Sequence, residues 1–201
     1  AAVNKVLSMK QKRKRLLFTG IIAAIAVVLI LWTIWENVTV GVTHYTVASS
    51  RLPASFDHYK IVVVSDLHNA EFGKENDPII RLVKEENPDM IAFTGDLIDS
   101  SRTNIETAGK LAQNLAEIAP CYYVTGNHEA WIGEQYQILE KKLLDASVVT
   151  LHDNFVLLTK NEETIQLAGL DDPDFTDRDS SIQQSMLETK LANQNLNISK
   201  L

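Results

Sequence analysis

The sequence has a single cysteine, Cys121, and no acidic residue before Glu36. One thiol excludes an internal disulfide framework and a zinc site built on cysteines. The missing acids divide the chain electrically. Residues 1–15 carry only positive charge, from Lys5, Lys10, Lys12, Arg13, Lys14 and Arg15. The other 13 basic residues and all 26 acids lie from Glu36 onward, which leaves that part at a net charge of −13. So acidic a body excludes nucleic-acid binding through a phosphate-neutralising surface, and it can hold cations. With 201 residues, 45% apolar and 22% charged, the chain is neither disordered nor collagen-like. Its length suits one domain with an appendage.

No charge interrupts residues 16–35. As a helix these 20 residues would be about 30 Å long, enough to cross a bilayer core. Trp32 and Trp35 stand at one end, where indoles favour the membrane interface. The basic cluster over 1–15 stands at the other and predicts a cytoplasmic N-terminus with an exported body. The run is longer than a signal-peptide core and no small-x-small cleavage site follows it, which favours a signal anchor.

Residues 38–47 are β-branched and roughly alternating, which predicts a strand within a connector over 36–57. Three later segments share one design. Residues 60–66, 90–96 and 121–127 each run apolar and end on Asp66, Asp96 and Asn127, spaced 30 and 31 residues apart. Short continuous apolar runs suit strands buried on both faces of a parallel sheet. Between them lie helical patterns. Asp77-Pro78 opens one, with Ile79, Ile80 and Val83 on its apolar face, and Asn87-Pro88 closes it. Ile105, Ala108, Leu111, Ala112, Leu115 and Ile118 mark the other, closed by Pro120. The alternation predicts an α/β fold. Further helices are expected over 134–145 and 183–192, and strands over 148–151, 154–159 and 164–170.

Parallel strands end on the same edge, and open α/β sheets bind ligands there. Asp66-Leu67-His68 puts a carboxylate and an imidazole just past one strand. Gly95-Asp96-Leu97-Ile98-Asp99 adds two carboxylates, and Gly126-Asn127-His128-Glu129 adds an amide oxygen and a second imidazole. Each piece alone fits ordinary turn chemistry. All three falling at successive strand ends points to a metal site. Oxygen and imidazole donors without thiolate suit Mn, Fe or Zn, and two such ions can share a carboxylate and clamp a phosphate.

At these residues the sequence resembles the calcineurin-like metallophosphoesterase superfamily over about residues 57–175, including Gly169-Leu170-Asp171-Asp172-Pro173. Within it the chain is similar to the bacterial membrane-anchored branch, whose members carry a motif like Ser65-Asp66-Leu67-His68. The resemblance implies a four-layer α/β sandwich of two mixed β-sheets flanked by helices, spread over 58–201 and here incomplete. It implies two divalent metal ions. Asp66 and His68 would bind the first, Asp96 would bridge both and Asn127 would bind the second. His128 would face the phosphate and protonate the leaving oxygen, and Asp99 would orient His128 and hold it cationic. The expected reaction is attack of a metal-bound hydroxide on phosphorus, without a covalent enzyme intermediate. Glu129 reads as a structural residue near the ligands.

The family carries further histidine motifs, and no histidine follows His152 here. Three ligands of the family pattern are therefore unmatched. Residues 195–201 read as the opening of a further strand, and truncation of a longer protein is the expected reason. His44, His58 and His152 read as packing or surface residues, and Asp171 and Asp172 as structural. The function expected is a phosphoesterase acting on a phosphodiester, pyrophosphate or phosphomonoester, with a phosphorylated small molecule or a lipid-linked compound as substrate. The chain as it stands is expected to be inactive. The rival expectation is a membrane-anchored binding protein that keeps half a metal site.

Overall fold

The computed structural model describes residues 2–175, 189, 190 and 192. The helix expected over 183–192 and the strand expected over 195–201 fall largely or wholly outside these residues. The chain separates into two compact units, Ala1–Gly41 and Val42–Leu201.

The first unit is one helix, α1 (Ala2–Val38). Its Lys12–Glu36 segment is long and apolar enough to cross a membrane. The large side chains from Leu16 to Trp35 are all exposed, as befits a helix apolar on every face. Thr33 donates its hydroxyl to the Leu29 carbonyl at 2.9 Å, so this polar group is satisfied within the helix. The strand expected over 38–47 does not form. Val38 ends α1, and residues 39–49 carry no regular structure. The β-branched alternation is present, but no strand pairs with it among the described residues, and an unpaired strand is not stable alone. Tyr45 and Val47 stand exposed.

In the second unit, β1 (Ile61–Val64), β2 (Met90–Thr94), β3 (Cys121–Val124) and β4 (Val149–Thr150) form a parallel sheet in the order β1-β2-β3-β4. The crossovers are α2 (Asp77–Glu86), α3 (Ile105–Ala116), and then a short α4 (Asn127–Trp131) followed by α5 (Tyr136–Asp145). β2 is buried along most of its length, with Met90, Ile91 and Phe93 inaccessible, as a central parallel strand requires. β1 departs from that expectation. It is an edge strand in the described sheet, and Ile61 and Val63 are 50% and 59% exposed. β5 (Asn154–Lys160) and β6 (Glu163–Gly169) make an antiparallel hairpin. Its Val156, Leu158, Ile165 and Leu167 pack with Phe56, Met90, Ala92 and Tyr122. Helices and a second sheet thus accompany the parallel sheet, consistent with the expected α/β class. Among the described residues one sheet is wholly parallel and the other wholly antiparallel.

Candidate metal centre

The register carries the site. Ile61 pairs with Met90 and Ile91 with Cys121. Continued past the strand ends, this alignment sets Asp66 beside Gly95 and Asp96 beside Gly126. Hydrogen bonds confirm the continuation. The N–H groups of Asp66, His68 and Asn69 donate to the carbonyls of Gly95, Asp96 and Leu97 at 3.2, 2.9 and 3.2 Å. Leu97 and Ile98, between the two carboxylates of the second motif, are fully buried. They anchor that loop by its apolar side chains.

Two glycines permit the approach. A Cβ on Gly95 would lie 2.5 Å from the Gly126 nitrogen, and one on Gly126 would overlap Asp96 Oδ1. Asp66, His68, Asn69 and Asp96 all have φ between 48° and 57°. This left-handed conformation costs a side-chain-bearing residue about 1–2 kcal/mol. Four such residues in two touching loops are the kind of backbone strain that gathers at functional sites.

One oxygen each from Asp66 and Asp96 and one nitrogen of His68 lie within 4.8 Å of one another. His68 Nε2 is 3.8 Å from Asp66 Oδ1 and 4.0 Å from Asp96 Oδ2. Neighbouring ligands on one divalent ion stand about 3–3.7 Å apart. The donor chemistry therefore fits one ion, and a small inward movement of these side chains would close the set on it. Asp96 Oδ1 accepts the His128 backbone N–H at 2.9 Å. Asn127 begins α4 immediately past β3, on the same loop.

His68, Asp99 and His128 form a second group with donor atoms within 4.8 Å of one another, and the two imidazoles meet edge to face at 4.4 Å. His128 Nδ1 accepts the Ser100 N–H at 3.0 Å. That bond engages Nδ1 and leaves Nε2 as the other ring nitrogen. Asp99 Oδ1 takes the N–H groups of Ser101 and Arg102 at 2.7 and 3.0 Å. The Ser101 N–H, with help from Arg102, holds the Asp99 carboxyl below its ordinary range. Asp99 thereby shapes the turn whose Ser100 N–H meets His128 Nδ1.

Several neighbours carry no spacing signal in the sequence. Asn69 Oδ1 accepts from both Asp99 N–H and Asn104 N–H at 2.9 Å, and so ties the first loop to the end of the second motif and the start of α3. Thr125 donates its hydroxyl to Asp171 at 2.8 Å, and Asp171 also pairs with His152 at 2.9 Å. His152 meets Glu140 on its other nitrogen at 2.6 Å. Burial pulls the His152 pKa down, but hydrogen bonds to Asp171 and Glu140 outweigh it and leave the value raised. Trp131 lies 4.8 Å from the His128 ring and donates its indole N–H to Asp174 at 2.6 Å. Its place three residues after His128 was the one available hint, since that spacing shares a helix face.

The family model for calcineurin-like phosphoesterase matches residues 59–193. The chain belongs to the calcineurin-like phosphoesterase family. It is 32% identical over 140 residues to a bovine transmembrane protein with metallophosphoesterase domain, covering 66% of this chain and 31% of that protein. It is 33% identical over 140 residues to the uncharacterized metallophosphoesterase YkuE of Bacillus subtilis, covering 65% and 47%. It is 34% identical over 116 residues to the UDP-2,3-diacylglucosamine pyrophosphatase LpxG of Chlamydia muridarum, covering 53% and 34%. This family member thus spans between about a third and a half of the length of these relatives.

Proposed function

We propose that the protein is a divalent-metal-dependent phosphoesterase that hydrolyses a phosphodiester, pyrophosphate or phosphomonoester. The observation that carries this reading is the convergence of Asp66, His68 and Asp96 within 4.8 Å at the sheet edge, beside His128. Asp66 and His68 would hold the first ion, Asp96 would be shared between the two and Asn127 would hold the second. Bound divalent ions polarise the phosphoryl oxygens and lower the pKa of the attacking water. The chain's own residues do the rest. Asp96, buried and braced by the His128 N–H, offers its other oxygen in a fixed direction. His128 presents Nε2–H to the phosphoryl or leaving oxygen, because Ser100 occupies Nδ1. Asp99 keeps that turn in place.

The substrate reading extends to lipid-linked compounds. It is supported by the apolar α1 and by the relative whose name specifies a diacylated sugar nucleotide. We assign the basic residues before position 16 to the cytoplasmic side and the second unit to the outer side of the cell membrane. Metal analysis, with hydrolysis of a chromogenic bis-phosphodiester and its monoester, tests the chemistry. In the full-length protein, Asp96→Asn should abolish metal-dependent turnover with the fold retained, because an amide cannot supply the charge that balances the cations. Turnover at the wild-type level in that variant would remove Asp96 from the site. A reporter that works only outside the cytoplasm, fused after Leu201, should be active. A well-expressed but silent fusion overturns the orientation.

A further inference from the structure

Glu129 is the most deeply buried acid among the described residues, at 0% exposure. A carboxylate taken out of water costs several kcal/mol unless other groups replace its hydration. Backbone dipoles do so here. Oε2 accepts the N–H groups of Asp96 and Gly126, each at 2.8 Å. Oε1 accepts those of Leu97 at 2.9 Å and Ile98 at 3.4 Å.

Capping α4 would need only one of these bonds. The Gly126 N–H lies three residues back, the ordinary reach of a glutamate in the first turn of a helix. The other three bonds cross to a loop more than thirty residues away in sequence. They engage the consecutive amides of the segment that carries Asp96. In return, Asp96 Oδ1 accepts the N–H of His128 on the Glu129 side. The two loops thus clasp one another, each by a carboxylate on the other's backbone.

We propose that Glu129 is the positioning residue of the metal centre: its carboxylate locks the loop bearing Asp96 against the loop bearing Asn127 and His128, and so sets the separation of their ligand atoms. This rests on the metal-site reading above. Glu129 binds no ion itself, since both its oxygens are engaged by amides. Its two attributes, length and double acceptance, are separable. Glutamine keeps the length but turns one end into a donor that faces two N–H groups. Aspartate keeps both acceptors but is one methylene shorter and cannot reach both loops.

The test is Mn binding to the detergent-solubilised full chain, measured by calorimetry alongside thermal melting. Glu129→Gln and Glu129→Asp should each weaken Mn binding about tenfold or more, the usual effect of removing a residue that orients a metal ligand. Val83→Ala, in the buried face of α2, should lower the melting temperature and leave Mn affinity unchanged. Wild-type affinity in folded Glu129→Gln overturns the proposal. Wild-type affinity in Glu129→Asp overturns it as well, since charge alone would then suffice. Should the glutamine variant not fold, the aspartate variant decides. An equal loss of affinity in Val83→Ala shows that affinity merely follows stability, and also refutes it. Failure of the underlying reading has a different signature: Asp96→Asn would bind Mn as tightly as wild type, or the wild-type chain would bind none.

Discussion

Gly95→Ala tests the account of how the two loops meet. Gly95 has φ of +86°, so a side chain there costs about 1–2 kcal/mol in backbone strain alone. The added Cβ would also stand 2.5 Å from the Gly126 nitrogen and 2.6 Å from its Cα. Non-bonded heavy atoms rest about 3.5 Å apart, so the loops must separate by about 1 Å. The obstructing atoms are backbone and cannot rotate away, so an overpacking penalty of about 1–3 kcal/mol adds to the strain. The total is about 2–5 kcal/mol of lost stability. Gly133→Ala is the matched control. It has φ of +56° and open space around the new Cβ, so it should cost about 1–2 kcal/mol. Chemical denaturation of both variants measures the difference, and Mn calorimetry measures its consequence at the site. Gly95→Ala should lose both stability and Mn affinity, and Gly133→Ala only a little stability. Equal destabilisation by the two substitutions, with Mn affinity intact in both, would refute the close-approach argument.

Two further outcomes follow from single polar groups. Hydrogen bonds to Asp171 and Glu140 leave the folded-state pKa of His152 above its unfolded value, against the pull of burial. Its stabilising contribution is therefore complete below about pH 6.5, the unfolded value, and is lost as pH rises through the higher folded value. Denaturation midpoints measured across that range should fall more steeply with pH for wild type than for His152→Gln, and parallel curves would show that the ring does not bridge the two acids. The Tyr123 hydroxyl is buried without a hydrogen-bond partner among the described residues. Tyr123→Phe should then raise stability by about 1 kcal/mol, and a loss of that size would reveal a partner for the hydroxyl.

The sequence alone determined the α/β alternation, because buried parallel strands need continuous apolar runs and their crossover helices need a 3.6-residue period. The common edge at which Asp66, Asp96 and Asn127 stand was legible for the same reason, since polar residues that end such runs must emerge at one edge. The apolar span of α1 was equally plain, because bilayer crossing depends on length and composition alone. The reading failed at residues 38–47, where local preference for extended backbone found no strand to pair with among the described residues. It could not show that β1 would leave Ile61 and Val63 exposed, since an edge strand and a central strand share one composition. Only the tertiary structure decided how the ligand residues are held. The four amides on Glu129, the Ser100 N–H on His128 and the Asn69 bridge all join residues about 30 apart in sequence, apart from the Gly126 bond. Backbone amides look alike in every sequence. Which of them face a buried carboxylate or an imidazole is set by the register of β1, β2 and β3, and that exists only once the sheet has formed.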